Sequence, residues 1–358
     1  MKEVLWPLVV LAALAGAQED SRRHRLRFDA LVQPLYEIDF GREQGEFALN
    51  RARLGFAHDF RVGELRVDSE LEVDFSKREE ERMLHNASVT VRASPWLRVQ
   101  MGRFKHPFGM NSMTSSRNLP LIWRTRLTRH LRRELATAGR SEGVMVYGNV
   151  AEKASYHAGL FTYAGYHLQG GGVRDLFQHP VGAVSFSPHP VVEVVYSVSA
   201  PSMKLTLVTG EVIGKRHVFH DIGVVVAAGE RYRGEVEFFL GPDTADGRTF
   251  HHYLDGYREI LTHGVTVHQT LSFAAPLVQG IDATVVGEYL NGLRYNEWVY
   301  ANRSTYFVAA VGMKVRISPE FFVDVGGQMQ FDERFRFNRQ AQGGVQITCL
   351  PHWRFRGR

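Results

Sequence analysis

Residues 65–75 read Leu-Arg-Val-Asp-Ser-Glu-Leu-Glu-Val-Asp-Phe, so apolar and charged side chains alternate almost without a break. Successive side chains of a β-strand point to opposite faces, which would put Leu65, Leu71 and Val73 on one side. The other side would carry a row of charged residues: Arg66, Asp68, Glu70, Glu72 and Asp74. That charged face needs water, whereas the face behind it needs an apolar environment.

The same alternation recurs along most of the chain, with examples at residues 26–40, 87–94, 192–199, 265–273 and 311–317. About sixteen such runs can be counted, most of them close to the roughly ten residues of a tilted membrane strand. The pattern predicts an all-β fold, a transmembrane antiparallel β-barrel of about sixteen strands, because only a closed sheet pairs every backbone group of its strands in lipid. A soluble β-sandwich or β-helix also alternates, but it would have shorter strands and less charge on single faces.

The N-terminus has the features of an export signal. Lys2 precedes an apolar stretch from Leu5 to Leu14, and Ala15-Gly16-Ala17 has the small-x-small form of a cleavage site. We expect residues 1–17 to be a secretory signal peptide, because the apolar stretch is too short for a membrane anchor. Residues 18–358 would then form the barrel domain.

Composition and charge exclude several classes of protein. The single cysteine, Cys349, rules out an internal disulfide and a zinc site built from cysteines. The net charge of +5 arises from 43 basic and 38 acidic residues, a mild excess that does not indicate nucleic-acid binding. We expect no metal site, because the histidines that could meet are better explained as ordinary polar residues, and we expect no other cofactor. These candidate histidines are His217, His220, His251 and His252.

The alternation disappears between Pro107 and Gly139. About thirty residues without a strand pattern inside a barrel chain predict a functional loop. Arginines are concentrated in this stretch and at its exit, where only Glu134 offsets them: Arg117, Arg124, Arg126, Arg129, Arg132, Arg133 and Arg140. The spacing of Arg126, Arg129 and Arg132/Arg133 would place cations along one side of a short helix. If residues 107–139 fold into the lumen, they form a positive constriction that favours anions and phosphate; an external loop contacting lipopolysaccharide phosphates is the alternative.

Three short motifs around this loop resemble a known family. The stretch Gly102-Arg-Phe-Lys-His-Pro-Phe-Gly109 resembles the G-x-F-K-x-P-F-G strand end of the phosphate-selective porin O/P family. Ser115-Ser116 and the stretch Gly139-Arg-Ser-Glu-Gly-Val144 resemble its S-S and R-x-x-G-V elements. The resemblance covers about 45 contiguous residues, and elsewhere the chain agrees with the family only in its strand rhythm.

This resemblance implies a porin of the bacterial outer membrane: a sixteen-stranded barrel, usually trimeric, that has an inward-folded loop and lets small solutes diffuse passively. It also implies a preference for anions such as phosphate. The expected partners are small anionic solutes, outer-membrane lipid and lipopolysaccharide, and other copies of the chain in a homotrimer. The candidate constriction residues are Lys105, Arg124, Arg126, Arg129, Arg132, Arg133 and Arg140.

Other features argue for a less selective channel or for another function. Acids such as Glu235, Glu237 and Glu288 would also face the lumen and weaken anion selectivity. A structural or adhesive barrel with a plugged lumen is the main alternative function. A barrel hydrolase is the least favoured, because His85 with Ser88 and His220 with Asp221 lack any distinctive surrounding motif. The last strand is expected at Gly343 to Trp353, followed by a short basic tail.

Overall fold

The computed structural model describes residues 24–40, 43–76, 83–115, 118–133, 137–162, 179–206, 212–242, 261–294, 302–332 and 337–356. The predicted signal peptide at residues 1–17 lies outside this set. Within these ranges, no helix is both long enough and apolar enough to span a membrane.

Strands dominate the described chain. The first nine are β1 (Arg25–Asp39), β2 (Gln44–Val62), β3 (Leu65–Asp74), β4 (Leu84–Ser94), β5 (Leu97–Lys105), β6 (Arg140–Ala151), β7 (Ala154–Phe161), β8 (His179–His189) and β9 (Val192–Ser199). The others are β10 (Ser202–Thr206), β11 (Val212–Arg216), β12 (Phe219–Ala228), β13 (Tyr232–Pro242), β14 (Leu261–Ala275), β15 (Val278–Arg294), β16 (Asn302–Arg316), β17 (Phe321–Asp332), β18 (Phe337–Cys349) and β19 (His352–Arg356). Two short helices, α1 (Met110–Met113) and α2 (Arg126–Arg133), lie between β5 and β6.

The sheet closes on itself. Strand β1 pairs with β2 on one side and with β18 and β19 on the other, while β9 pairs with β12. Because β18 and β19 follow each other along the same edge of β1, they act as one strand of the wall, and the result is a closed antiparallel barrel of sixteen strands. Strands β10 and β11 form a separate hairpin. The fold predicted from the alternation is confirmed.

The two ends of the barrel differ. One end carries both ends of the described chain and the short turns at residues 63–64, 95–96, 152–153, 190–191, 229–231, 276–277 and 317–320. We call it the turn end. The loop end carries the longer connections, among them residues 106–139 between β5 and β6. In outer-membrane barrels short turns face the periplasm and longer loops face the cell exterior.

Ladder partners show which side chains share a face. Asp221 lies opposite Ser197, and Thr266 lies opposite both Glu237 and Glu288. All five are almost completely buried, whereas alternate residues of the same strands are exposed and apolar, as at Val236 (44%) and Val285 (58%). The barrel therefore has a polar, covered inner face and an apolar outer face, which is the arrangement that a lipid environment requires.

The C-terminus differs from expectation. The predicted last strand, Gly343 to Trp353, is interrupted at residues 350–351. The basic stretch that follows does not form a tail, since β19 pairs with β1 from Arg25↔Arg356 to Asp29↔His352. The Ala30 amide also donates to the Pro351 carbonyl at 3.0 Å. The interruption leaves the register unchanged, since Val32↔Cys349 and Asp29↔His352 belong to the same ladder, and the barrel stays closed.

Candidate functional site

Two glycines with positive φ stand at the ends of the motif, Gly102 within β5 and Gly109 just before α1. Gly102 has a φ of 127°, and a Cβ at this position would collide with the Ala87 carbonyl of the neighbouring strand. Gly109 has a φ of 76°, a region that L-residues rarely adopt. These conformations explain why the G-x-F-K-x-P-F-G motif needs glycine at both of its ends.

Helix α1 is held by carboxylates of the inner face. The Met110 amide donates to Asp221 Oδ1 at 3.3 Å. Asn111 donates twice to Glu237, from its backbone N to Oε1 at 3.1 Å and from Nδ2 to Oε2 at 2.5 Å. The first amides of a helical turn lack partners within the turn, so buried carboxylates are suitable acceptors for them. Asp221 and Glu237 therefore anchor the loop backbone.

Helix α2 is capped in a similar way. Thr125 precedes the helix, and its Oγ1 accepts a hydrogen bond from the Thr128 amide at 3.1 Å. The Leu127 amide donates to the carboxylate of Glu288, a residue of β15. The negative carboxylate also complements the positive end of the helix dipole. Sequence reasoning predicted the helical spacing of residues 126–133 but not this acidic anchor.

The apolar face of α2 packs into a cluster at the inner face. Leu127 and Leu131 are four residues apart, so they lie on the same side of the helix, and both are fully buried. Their partners in the cluster come from the wall and from the rest of the segment: Phe104, Phe108, Ala138, Met145, Phe161, Val181, Phe219, Phe239 and Leu290. A helix of eight residues is unstable alone, so this packing holds it.

Two of the predicted cations bind backbone carbonyls. Lys105 Nζ donates to the carbonyl oxygens of Met113 and Thr114 at 3.1 and 3.0 Å. Arg124 donates to the carbonyl oxygens of Asn111 and Thr114 at 2.7 and 2.9 Å. A carbonyl accepts these bonds without neutralising the cation, so both residues stay positively charged while they fix the end of α1.

A third anchor was not predicted from the sequence. Lys314 of β16 donates to the Leu119 carbonyl at 2.7 Å and lies 3.6 Å from the carboxylate of Asp324 on β17. Together with the acids that hold α1 and α2, it fastens the described residues of the 106–139 segment to the inner face of β12–β17. A single lysine in an alternating strand gives no signal of such a role.

Strands β2–β4 carry ion pairs on the same inner face. Arg53 contacts Asp74 at 2.7 Å and Glu72 at 3.1 Å. Further along the wall, Arg66 pairs with Asp59, and Arg92 pairs with Asp68. Glu70 lies between Asp68 and Glu72 and is exposed. Arg51 and Arg61 share the inner face of β2 with Arg53, so five arginines meet five acids and positive and negative charge largely cancel along this part of the wall.

The other predicted constriction residues separate into two groups. Arg126, Arg129, Arg132 and Arg133 all lie on α2, where Arg129 is half-buried. The side chains of the other three lie outside the described part of the structure. Arg140 stands opposite Lys105 in the β5–β6 ladder, and it alternates with the buried Ser141 and Met145. Arg140 and Lys105 therefore leave the wall on the same face, and Lys105 reaches the segment from there, so Arg140 stays a predicted constriction residue.

The candidate catalytic pair His220 and Asp221 does not assemble. His220 and Asp221 point to opposite faces, because Nδ1 of His220 hydrogen-bonds to the Tyr196 hydroxyl at 2.8 Å while Asp221 holds α1. The histidines His251 and His252 lie outside the described residues. Among the residues that are described, no three His, Cys, Asp or Glu side chains are grouped so that they could hold a metal ion.

Comparison with known proteins agrees with this geometry. A family model described as phosphate-selective porin O and P matches residues 24–178, which confirms the resemblance seen in the motifs. The fold is similar to that of an anion-selective porin from Comamonas acidovorans (TM-score 0.64, 11% identity, 92% of this chain and 100% of that chain). It is also similar to OmpT of Vibrio cholerae in its trimer form (0.62, 11%, 92% and 100%). The outer membrane channel DcaP of Acinetobacter baumannii is a further example (0.61, 11%, 93% and 99%). No curated protein sequence matches.

Proposed function

We propose that this chain is a porin of the bacterial outer membrane that lets small solutes diffuse passively and prefers anions such as phosphate. The match to the phosphate-selective porin O and P family model supports this proposal. Its fold and family point to a channel and not to an enzyme. In the proposed arrangement, residues 106–139 narrow the lumen and their arginines select the solute.

The proposed anion preference is supported mainly by the position of three acids on the inner face of the wall. Asp221, Glu237 and Glu288 are buried beneath this segment and accept hydrogen bonds from its backbone amides, so they lie behind the segment and do not line the surface that a solute meets. The segment itself contains six arginines and a single acid, Glu134. The excess positive charge left in a confined lumen attracts anions and is screened less than on an open surface.

The opposite wall supports the same conclusion. The inner-face arginines of β2–β4 are paired with carboxylates, so that wall adds little net charge of either sign. A guanidinium that shares a carboxylate can still offer its remaining N–H groups to a phosphate oxygen. The proposed path therefore runs between a nearly neutral wall and a basic segment.

A plugged barrel with a structural or adhesive role is the second candidate. The fully buried apolar cluster around Leu127 and Leu131 favours it, because a segment packed this tightly fills part of the lumen. The two candidates differ in one measurable property: a porin conducts ions steadily in a planar bilayer, whereas a plugged barrel does not.

Assembly as a homotrimer within lipopolysaccharide and phospholipid belongs to the same proposal. OmpT of Vibrio cholerae, which shares the fold, has a trimer form. Several side chains on the outer face, such as Val311 at 59% and Leu271 at 48%, are exposed and apolar in the isolated chain. Such a surface needs lipid or other copies of the chain to cover it.

The test replaces Arg124, Arg126 and Arg129 together by Gln, which removes three charges and keeps hydrogen-bond donors for the loop carbonyls. The reversal potential in a salt gradient should shift towards cation selectivity, and block of chloride current by phosphate should weaken. A matched control replaces Lys153 and Arg231, exposed residues of two turns at the turn end, by Gln and should change selectivity much less. Equal selectivity of the wild type and the loop variant would contradict the proposal.

A further inference from the structure

The outer face of β14–β17 has an aromatic row near the loop end. Three rings lie side by side on adjacent strands, since Tyr289 pairs with Phe307 and Phe307 pairs with Phe331. The Tyr289 and Phe307 ring centroids are 5.2 Å apart. Val265 continues the row on β14. Large side chains thus form a continuous ledge across four strands.

The next row towards the membrane centre contains two very small residues. Gly287 of β15 pairs with Ala309 of β16. Val267 of β14 and Met329 of β17 lie on either side of this pair. Gly287 is exposed, and a Cβ built on it would meet no atom within 4 Å. The two small residues therefore leave a groove beneath the ledge, with a volume of about 420 Å³.

The groove is lined by apolar side chains, and polar atoms lie at its loop end, which matches the apolar chain and polar headgroup of a lipid. Its lining side chains are those of Val265, Val267, Tyr289, Phe307, Ala309 and Phe331. At the loop end of the ledge, the Tyr289 hydroxyl lies 3.3 Å from Nε2 of His263, so polar atoms mark the level of the headgroups. Neighbouring strands are about 4.8 Å apart, so the floor formed by Gly287 and Ala309 has room for a single hydrocarbon chain.

We propose that this groove binds one acyl chain of lipopolysaccharide from the outer leaflet. The loop end faces the cell exterior in barrels of this kind, so the leaflet next to the groove is the one that contains lipopolysaccharide. An acyl chain packed against Gly287 makes the van der Waals contacts that a side chain at this position would otherwise make. The proposal depends on the barrel's position in the outer membrane and not on its anion preference.

The experiment compares wild type with Gly287→Leu, purified from outer membranes in mild detergent. A Cβ at residue 287 meets no atom within 4 Å, so a Leu side chain can leave the wall there and would occupy the groove. The matched control is Ala283→Leu, an exposed outer-face position two rows lower on the same strand. The readout is the amount of lipid A 3-hydroxy fatty acid and of phospholipid per mole of chain.

We expect Gly287→Leu to retain less than half of the lipid A of wild type, and Ala283→Leu to retain the wild-type amount. Equal lipid A in all three proteins would overturn the proposal, and so would a selective loss of phospholipid. A change of oligomeric state without a change in lipid A would identify the groove as an interface between copies, which also contradicts it.

Ala309→Leu fills the groove from the neighbouring strand and should give the same loss. Heat-modifiable migration on gels shows which variants fold, so a folding defect is not mistaken for lost lipid. The reversal potential of Gly287→Leu should equal that of wild type. A result that refutes the anion preference would therefore not refute the lipid site. A result that refutes the lipid site would not refute the anion preference.

Discussion

Replacing Leu131 by Ala should loosen the segment inside the barrel without unfolding the barrel. Leu131 is fully buried in the apolar cluster that holds α2 against the wall. A buried Leu→Ala change costs about 2–5 kcal/mol, through lost burial and the cavity that remains. That loss is large for a helix of eight residues, which has little stability of its own. The strand ladders do not pass through this helix, so they should be unaffected.

Single-channel recordings in planar bilayers provide the assay. Leu131→Ala should give a larger mean conductance with a wider distribution of levels, because the segment spends part of its time away from the wall. Leu271→Ala is the control, since Leu271 lies on the outer face and is 48% exposed. If Leu131→Ala folds normally and conducts exactly as wild type does, the segment does not limit the channel and the proposed constriction is wrong.

Two further substitution pairs test the faces of the wall and the lysine anchor. Leu71→Arg places a charge on the lipid side and should destabilise the assembled barrel by roughly 2–4 kcal/mol. Glu72→Gln should assemble normally and change only the conductance. Equal folding defects of the two variants, seen as heat-modifiable migration on gels, would contradict the assignment of these faces. Lys314→Met removes the cation beside the buried Asp324 and should destabilise the protein by about 3–5 kcal/mol in denaturant titrations. The double variant Lys314→Met/Asp324→Leu should recover much of that loss, and no recovery would show that the pair is not the cause.

Local alternation was enough to predict the barrel, because period two is a property of each strand and closure follows from the need to pair every edge in lipid. The break in alternation between Pro107 and Gly139 likewise predicted a long loop, which lies between β5 and β6. These features can be recognised within a few residues of sequence, without knowing which strands are neighbours.

The anchors of the segment could not be predicted in this way. Met110 contacts Asp221, 111 positions away, and Leu127 contacts Glu288, 161 positions away. From the sequence, Glu288 looked like a lumenal charge that would weaken anion selectivity. In the folded chain its carboxylate accepts a hydrogen bond from the Leu127 amide, and only the closure of the sheet brings Glu288 and Leu127 together.

The motif around Arg140 shows another limit of sequence reasoning. Its position at the exit of the arginine-rich stretch suggested a lumenal cation. The face of a strand residue depends on register, however, and the ladder puts Arg140 on the same face as Lys105, alternating with the buried Ser141 and Met145, so its lumenal role stays a prediction. An arginine count alone cannot distinguish a lumenal residue from one that begins on the outer face.

The central claim is that this barrel is an open channel with a net positive constriction. Its most direct test is the reversal potential of the wild-type protein in a planar bilayer that separates concentrated from dilute potassium chloride. The account predicts steady conductance and a reversal potential with the sign of chloride selectivity, together with block of the current by added phosphate. A reversal potential with the sign of potassium selectivity, or a folded barrel that does not conduct, would contradict it.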